Sequence, residues 1–196
     1  LKFDKDGIEE VKRKFFGTLY NTYSFFSLYT NIDSFSYTEE DILLHERPEL
    51  DRWILSELHT LIKKVDKFYE EYEPTKAARA ISDFTQDYLS NWYVRLSRRR
   101  FWKGDYQQDK ISAYQTLYTC MLTIAKIGAP IAPFFMDKLY LDLNAVSQKE
   151  NFESIHLADF PLFEESYIDK SLERKMEDAQ TISSLVLSLR AKEKIK

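Results

Sequence analysis

The stretch PELDRWILSELHTLIKKVDKFYEEYEPTKAARAISDFTQDYL, residues 48–89, decides the fold class. Its apolar residues return at steps of three or four, the spacing that places side chains on one face of an α-helix. The first series is Leu50, Ile54, Leu58, Leu61, Val65, Phe68 and Tyr72, and the second, which continues past residue 89, is Ala77, Ile81, Phe84, Tyr88, Trp92 and Leu96. Pro48 and Pro74 each stand where a helix takes its first residue. We therefore predict two helices, the first with a narrow packing seam.

The same spacing continues toward the N-terminus and beyond residue 89. Asp6 followed by Glu9 has the form of a capping box, and the helix behind it is expected to end near Tyr29. Its expected buried series is Ile8, Val11, Phe15, Leu19, Tyr23 and Phe26. Residues 31–46 are polar and predict a surface loop with one short turn. The helix of the second series is expected to reach Trp102 and to stop at Lys103-Gly104, because glycine adopts the left-handed conformation that ends helices.

Toward the C-terminus we predict three more helices. One starts near Asp109 and ends at Gly128-Ala129-Pro130, a shorter one runs from Pro133 to Asn144, and the last begins near Asp169. Their expected buried residues are Tyr114, Leu117, Met121 and Ile124, then Phe135, Leu139 and Leu143, then Leu172, Met176, Ala179, Ile182, Val186 and Leu189. Ser154 to Leu157 is the segment that we expect to be extended.

The composition supports the same fold class. With only 4 Gly and 5 Pro in 196 residues there are few turn signals, so the elements must be long. Hydrophobic residues make up 44% of the chain, which is enough for a real core. We predict an all-α protein, an antiparallel bundle of four long helices plus one or two shorter ones. Residues 1–196 are expected to form a single domain, with 7–165 as the main bundle and 169–196 as a C-terminal helix.

Several classes of site are not supported by the sequence. The lone Cys120 cannot form an internal disulfide or a cysteine-based zinc site and suits a reducing compartment, so we expect a cytoplasmic protein. No run approaches the ~20 apolar residues that span a bilayer. The three histidines lack metal-binding spacing, and the four glycines stand alone, so no phosphate-binding loop is predicted. We expect no catalytic residue, no metal site and no cofactor within this chain.

One stretch carries a dense functional signal: NWYVRLSRRRFWK, from Asn91 to Lys103. It contains four Arg and one Lys without an acid, interleaved with aromatic residues, although the whole chain has a net charge of −4. A nucleic-acid site must therefore be local. The candidate contacts, which we call the basic ridge, are Asn91, Arg95, Arg98, Arg99 and Trp102. Guanidinium groups bind phosphates and indoles stack on unpaired bases of RNA loops.

A structural interpretation of the basic run stays open at this stage. Basic residues near a helix C-terminus stabilise the helix through its dipole. They could also pair with the acidic segment Glu39 to Asp51 across the bundle. A structure that shows the basic ridge exposed would favour RNA binding over this alternative.

Several segments resemble the anticodon-binding region of isoleucyl-tRNA synthetases, which are class I aminoacyl-tRNA synthetases. They include NWYVRLSRRRFW (91–102), DKISAYQTLYTCMLTIAKIGAPIAPF (109–134) and SIHLADFP (154–161). Further similar segments lie at 11–33, 49–62 and 188–196, so the resemblance covers essentially the whole chain. Valyl, leucyl and methionyl enzymes share the Trp-Tyr helix and the Ala-Pro-x-x-Pro-Phe break, whereas the Arg-Arg-Arg-Phe-Trp run is typical of the isoleucyl branch.

The resemblance implies a fragment that binds the anticodon stem-loop of isoleucine tRNA. It implies a parent enzyme that uses ATP and Mg²⁺ to attach isoleucine to that tRNA. The His-x-Gly-His and Lys-Met-Ser-Lys-Ser motifs of that chemistry are missing from this sequence. The implied partners are tRNA and the catalytic and C-terminal domains of the parent chain; we expect a monomer with no membrane contact. The alternatives are a helical protein-interaction or interdomain docking module, and the equivalent domain of a valyl-type enzyme.

Overall fold

The computed structural model describes residues 4–103 and 105–195, and every regular element among them is helical. The α-helices are α1 (Lys5–Val11), α2 (Gly17–Asp33), α3 (Glu49–Glu70), α4 (Pro74–Asp83), α5 (Arg95–Lys103), α6 (Gln108–Gly128), α7 (Pro133–Ser147) and α8 (Lys170–Lys192). Two π-helical segments, Lys12–Phe16 and Phe84–Val94, join α1 to α2 and α4 to α5. The predicted all-α fold is confirmed. Gly104, part of the predicted helix stop, lies outside the described residues.

Consecutive long helices run antiparallel between two ends of the bundle. At one end, the polar end, the Lys110 ammonium lies 2.6 Å from the Asp33 carboxylate, and the Ser112 hydroxyl donates to Asp51 at 2.5 Å. At the other, the proline end, the Tyr69 hydroxyl donates to the Ile127 carbonyl at 2.7 Å. Pro74, Pro130 and Pro133 lie in the turns of that end. No helix among the described residues is long and apolar enough to cross a membrane.

Helices α3 and α6 form the centre of the core. The predicted narrow seam of α3 is wrong, because α3 packs against α4, α6, α8 and the second π segment and is buried on most sides. Trp53 and Leu55, outside the predicted series, are buried, whereas Tyr72 at its end is 92% exposed. In α6 the predicted residues Tyr114, Leu117, Met121 and Ile124 are all fully buried.

The third continuous helix, Pro74 to Lys103, changes its buried face along its length. Ala77, Ile81 and Phe84 are buried as predicted, but Leu96 is 52% exposed. Beyond Phe84, and apart from Val94, the buried residues are Thr85, Leu89, Tyr93, Ser97 and Phe101. They recur every four residues, and in a regular helix such a series would drift by about 40° per step around the axis. In the π segment Phe84–Val94 each backbone hydrogen bond spans five residues instead of four. The wider turn compensates for that drift.

The N-terminal helix starts earlier and ends later than predicted. The capping residue is Asp4, which accepts from the Asp6 amide at 3.1 Å, so the expected capping box at Asp6 is wrong. The helix continues through its π segment to Asp33 rather than ending at Tyr29. Leu19 and Phe26 are buried, and Phe15 and Tyr23 pack at the edge of the core, while Ile8 and Val11 are exposed.

Helix α8 begins as predicted, with Asp169 capping its first turn through the amides of Ser171 and Leu172. Only Leu172 is buried, with Met176 packed against the core. The rest of the predicted buried series is exposed, namely Ala179, Ile182, Val186 and Leu189. The periodicity was correct, but no described element covers the second half of this helix.

Two shorter predictions also need correction. Of the segment expected to be extended, only Ser154 is so; Ile155–Leu157 form a 3-10 turn, at whose start the Asp137 carboxylate accepts from both the Ser154 hydroxyl and the Ile155 amide. Helix α7 ends at Ser147 instead of Asn144, and Gln148 after it takes a left-handed φ of 51°. The predicted loop carries a 3-10 turn at Leu44–Glu46.

Candidate nucleic-acid interface

All five residues of the basic ridge lie on the surface toward the polar end of the third helix. Asn91, Arg95, Arg98 and Arg99 are exposed, and so is Trp102, at 54%. Asn91 belongs to the π segment and the other four to α5. Within α5, positions 95, 98, 99 and 102 are three or four residues apart, so their side chains are neighbours on one helix face. The structure therefore places four of the predicted contacts on one face of α5, and Asn91 precedes them in the π segment.

The opposite face of α5 is held in the core by Phe101. Its ring lies 5.1 Å from the ring of Phe25 and 5.1 Å from that of Tyr114, both in edge-to-face geometry. Tyr29 is a third aromatic neighbour at 6.3 Å. Because Phe101 is buried, the neighbouring Arg99 and Trp102 must point away from the core. The burial of Phe101 thus leaves the basic ridge on the outer side of α5.

Arg100 is the member of the basic run with a different role, which the sequence did not reveal. Its guanidinium forms a bidentate pair with Asp51, with Nη1 to Oδ1 at 2.6 Å and Nη2 to Oδ2 at 2.8 Å. It also donates through Nε to the Asp109 carboxylate at 3.0 Å and through Nη2 to the Asp109 carbonyl at 2.8 Å. The expected pairing between the basic run and the segment Glu39 to Asp51 therefore exists at Arg100, and the exposed ridge residues do not share it.

Asp51 is completely buried and receives two further hydrogen bonds. The Tyr93 hydroxyl donates to Oδ1 at 2.8 Å and the Ser112 hydroxyl to Oδ2 at 2.5 Å. Burial, followed by the nearby Asp51 carboxylate, raises the pKa of Tyr93 well above its usual value, so this phenol remains a donor. Four donors on two oxygens, together with the positive end of the α3 dipole, compensate the buried charge.

The loop before α3 is fixed to α6 by Arg47. Its guanidinium donates to the Ile42 carbonyl at 3.0 Å, to Thr116 Oγ1 at 2.8 Å and to Gln115 Oε1 at 3.2 Å. Gln115 donates in turn to the Glu40 carbonyl at 2.9 Å. Of the loop acids, Glu39 accepts from the Tyr106 hydroxyl. The acidic loop is therefore held at α6, beside the polar end.

His59 and Cys120 serve packing in this fold. His59 Nδ1 accepts from the Glu164 amide at 2.9 Å and its ring stacks on Tyr167 at 4.4 Å; burial lowers its pKa. Cys120 is fully buried and burial raises the pKa of its thiol, so it is a poor nucleophile. Across the part of the chain that the structure describes, no cluster of His, Cys, Asp or Glu has the grouping of a metal site.

The basic ridge therefore offers several exposed guanidinium groups and one exposed indole on a single face. Such a face can bind phosphate oxygens and stack on an unpaired base. Residues 51–196 match the family described as the anticodon-binding domain of tRNA ligase, which is more than half of the chain. The chain belongs to this family. The matched residues include α3 from Asp51 onward and α4 to α8, and with them the basic ridge and the Asp51–Arg100 pair.

The relatives of this anticodon-binding domain agree with the family resemblance drawn from the sequence. Isoleucine–tRNA ligase of Bacteroides thetaiotaomicron is 64% identical over 196 residues, which are the whole of this chain and 17% of that protein. The ligase of Cytophaga hutchinsonii is 62% identical and that of Clostridium tetani 44%, again over the whole chain and over 18% and 19% of the relative. The chain thus spans about a fifth of the length of the relatives it matches.

Proposed function

We propose that this chain is the domain of an isoleucine–tRNA ligase that binds the anticodon stem-loop of isoleucine tRNA. The observation that carries the proposal is the exposed basic ridge on a chain of the anticodon-binding family. Residues 1–196 act as one domain, which contributes affinity and tRNA selection. The intact enzyme is a cytoplasmic monomer that uses ATP and Mg²⁺ to attach isoleucine, through catalytic residues outside this chain.

Each ridge residue has a chemically distinct role in this proposal. Arg95, Arg98 and Arg99 bind phosphates or stack beneath bases, because a guanidinium is both a planar donor and a cation. Trp102 stacks on a base. Asn91, one helical turn before Arg95, orients that arginine or reads a base edge. Binding energy gained here orients the acceptor end of the tRNA at a distant catalytic site.

The charge contribution is tested with Arg95→Glu, Arg98→Glu in the full-length ligase, titrated with isoleucine tRNA at several salt concentrations. We expect weaker binding and a flatter dependence of log K on log salt, by roughly one unit for each phosphate that is no longer neutralised. The Michaelis constant for tRNA should rise, while isoleucine-dependent ATP and pyrophosphate exchange stays unchanged.

The matched control is Arg79→Glu, Arg174→Glu, which makes the same change in charge at exposed positions outside the ridge. It should leave the salt slope close to that of the parent. Trp102→Ala should cost ~1–3 kcal/mol of binding if the indole stacks, with little change in slope. Unchanged affinity and slope in the folded Arg95→Glu, Arg98→Glu enzyme would remove the ridge from the RNA site and favour a protein-docking role.

A further inference from the structure

Arg100 connects three helix ends at the polar end of the bundle. It belongs to α5, its partner Asp51 lies in the first turn of α3, and Asp109 lies in the first turn of α6. Its side chain is only 15% exposed and that of Asp51 is fully buried, so water and salt screen the pair weakly. The bidentate geometry constrains the direction of the guanidinium as well as its distance.

Arg100 lies within the basic run, next to residues of the basic ridge in the sequence. Arg98 and Arg99 precede Arg100 in sequence, and Trp102 follows two residues later. Helix α5 continues from the packed π segment, and its own contacts with the bundle include the buried Ser97, the ring contacts of Phe101 and the ion pair of Arg100. Apolar packing resists separation but tolerates small rotations, whereas a bidentate ion pair fixes the rotation of the helix about its axis. RNA contacts depend on such placement, because a displacement of about 1 Å can cost a large factor in a positioned interaction.

We propose that Asp51 and Arg100 are a positioning pair for tRNA binding: they hold α5 in the rotation at which Arg95, Arg98, Arg99 and Trp102 meet the anticodon stem-loop together. The inference rests on the proposed function. Neither residue contacts the RNA. Tyr93 and Ser112 support the pair by donating to the same carboxylate.

For Asp51→Asn, charge alone and the positioning role predict opposite changes in tRNA affinity. Asp51→Asn removes a negative charge close to the ridge, so attraction to RNA phosphates should increase and binding should tighten. Positioning predicts weaker binding, because an amide accepts poorly from a guanidinium and α5 loses its rotational constraint. The sign of the change in affinity therefore separates the two explanations.

The experiment uses the full-length ligase and isoleucine tRNA. Asp51→Asn should weaken tRNA binding by roughly 10-fold and raise the Michaelis constant for tRNA, with isoleucine activation unchanged. The matched control is Asp105→Asn, which removes one negative charge from an exposed position near the same helix end. It should bind tRNA as tightly as the parent or more tightly.

If Asp51 only stabilises the fold, the tRNA titration of Asp51→Asn gives a different result. Partial unfolding lowers the number of binding sites in the titration but leaves the dissociation constant of the folded fraction unchanged. If Asp51→Asn does not fold, two milder variants carry the test. Arg100→Lys keeps the charge but loses the bidentate fork, and Tyr93→Phe removes one donor from Asp51. Both should raise the dissociation constant, Tyr93→Phe by less.

Unchanged or tighter binding by folded Asp51→Asn, or by both milder variants, would overturn the positioning role. That result is distinguishable from failure of the proposed function. If the Arg95→Glu, Arg98→Glu enzyme binds tRNA weakly while Asp51→Asn binds it normally, only the positioning role fails. If the ridge substitutions have no effect either, the proposed RNA site itself is wrong.

Discussion

Tyrosine hydroxyls let this bundle bury many aromatic rings without leaving their polar tips unpaired. Tyr93 and Tyr114 donate to the carboxylates of Asp51 and Asp33 at 2.8 and 2.5 Å. Tyr69 and Tyr140 donate to backbone carbonyls at 2.7 and 3.0 Å. A buried hydroxyl without a partner would cost free energy, so each ring needs an acceptor in reach. The aromatic residues, 15% of the sequence, thus lie mostly in the core or packed against it.

Substitution of Phe84 measures how much one buried side chain contributes to the free energy of unfolding. It is 3% exposed and its ring stacks with that of Tyr88 at a centroid distance of 6.2 Å. Phe84→Ala should lower the free energy of unfolding by ~3–5 kcal/mol, because it removes a buried ring and leaves a cavity. Chemical denaturation followed by circular dichroism measures the change.

The control for that substitution is Phe134→Ala, at a ring that is 90% exposed. It should change the free energy of unfolding by less than about 0.5 kcal/mol. Equal stability of Phe84→Ala and the parent chain would contradict the burial of this ring.

Glu57 makes the stability of the bundle depend on pH. Burial, assisted by the nearby Glu173 carboxylate, raises the pKa of Glu57 from 4.5 to about 7. Since the folded state binds this proton more tightly than the unfolded state, the stabilising contribution is fully present below pH 4.5 and is lost as the pH rises through about 7. Glu57→Gln cannot ionise, so its melting temperature should exceed that of the parent at pH 8 and match it near pH 5.

The exposed Glu70, on the same helix, supplies the control for this pH dependence. The difference in melting temperature between Glu70→Gln and the parent should stay constant from pH 5 to pH 8. If the difference in melting temperature between Glu57→Gln and the parent were the same at pH 5 and pH 8, Glu57 would be ionised in the folded protein at both pH values.

At the scale of elements, the sequence predicts helix starts well where a specific residue determines them. Proline opens α4 and α7, and an aspartate caps α8, and all three starts are where the sequence placed them. Which faces are buried is less predictable, because it depends on neighbours. Trp53 and Leu55 are buried because elements surround α3 on several sides, which no spacing within α3 can reveal.

The basic run shows the same limit at the candidate site. Arg95, Arg98, Arg99 and Trp102 stand three or four positions apart along α5, and all four are exposed. Arg100 has the same residue type and lies in the same run, and only the fold brings it to Asp51, 49 positions away in the sequence. Sequence alone therefore identifies the basic run but not which of its arginines forms the ion pair with the buried Asp51.

Helix α8 should show a gradient of stability along its length. Its first turns are tied to α3, where Glu173 accepts from the hydroxyls of Ser56 and Thr60 at 2.7 and 2.8 Å. Beyond Ala179 its side chains are exposed apart from Gln180, so little tertiary packing opposes local opening. In the 196-residue chain, amide hydrogens of residues 182–192 should exchange on the order of 100-fold faster than those of α3. Hydrogen-exchange mass spectrometry measures both; equal protection would contradict the gradient.

The whole molecule has ends of opposite character. The polar end concentrates the buried ion pairs Asp33–Lys110 and Asp51–Arg100, next to the basic ridge. The proline end has an apolar cleft of about 380 Å³, lined by Phe15, Phe16 and Met136 among others. With a net charge of −4 on the chain, the ridge is a local positive region.

The π segment Phe84–Val94 also affects which changes of chain length the bundle can tolerate. A π turn holds one residue more than an ordinary helical turn. Deletion of one residue there can convert a π turn into an ordinary α-helical turn. Helices α4 and α5 then keep the same faces toward the core. A similar loss in α6, a regular α-helix buried on most sides, would rotate every later residue of that helix by about 100°. The third helix can therefore become one residue shorter at this point while the basic ridge still faces outward.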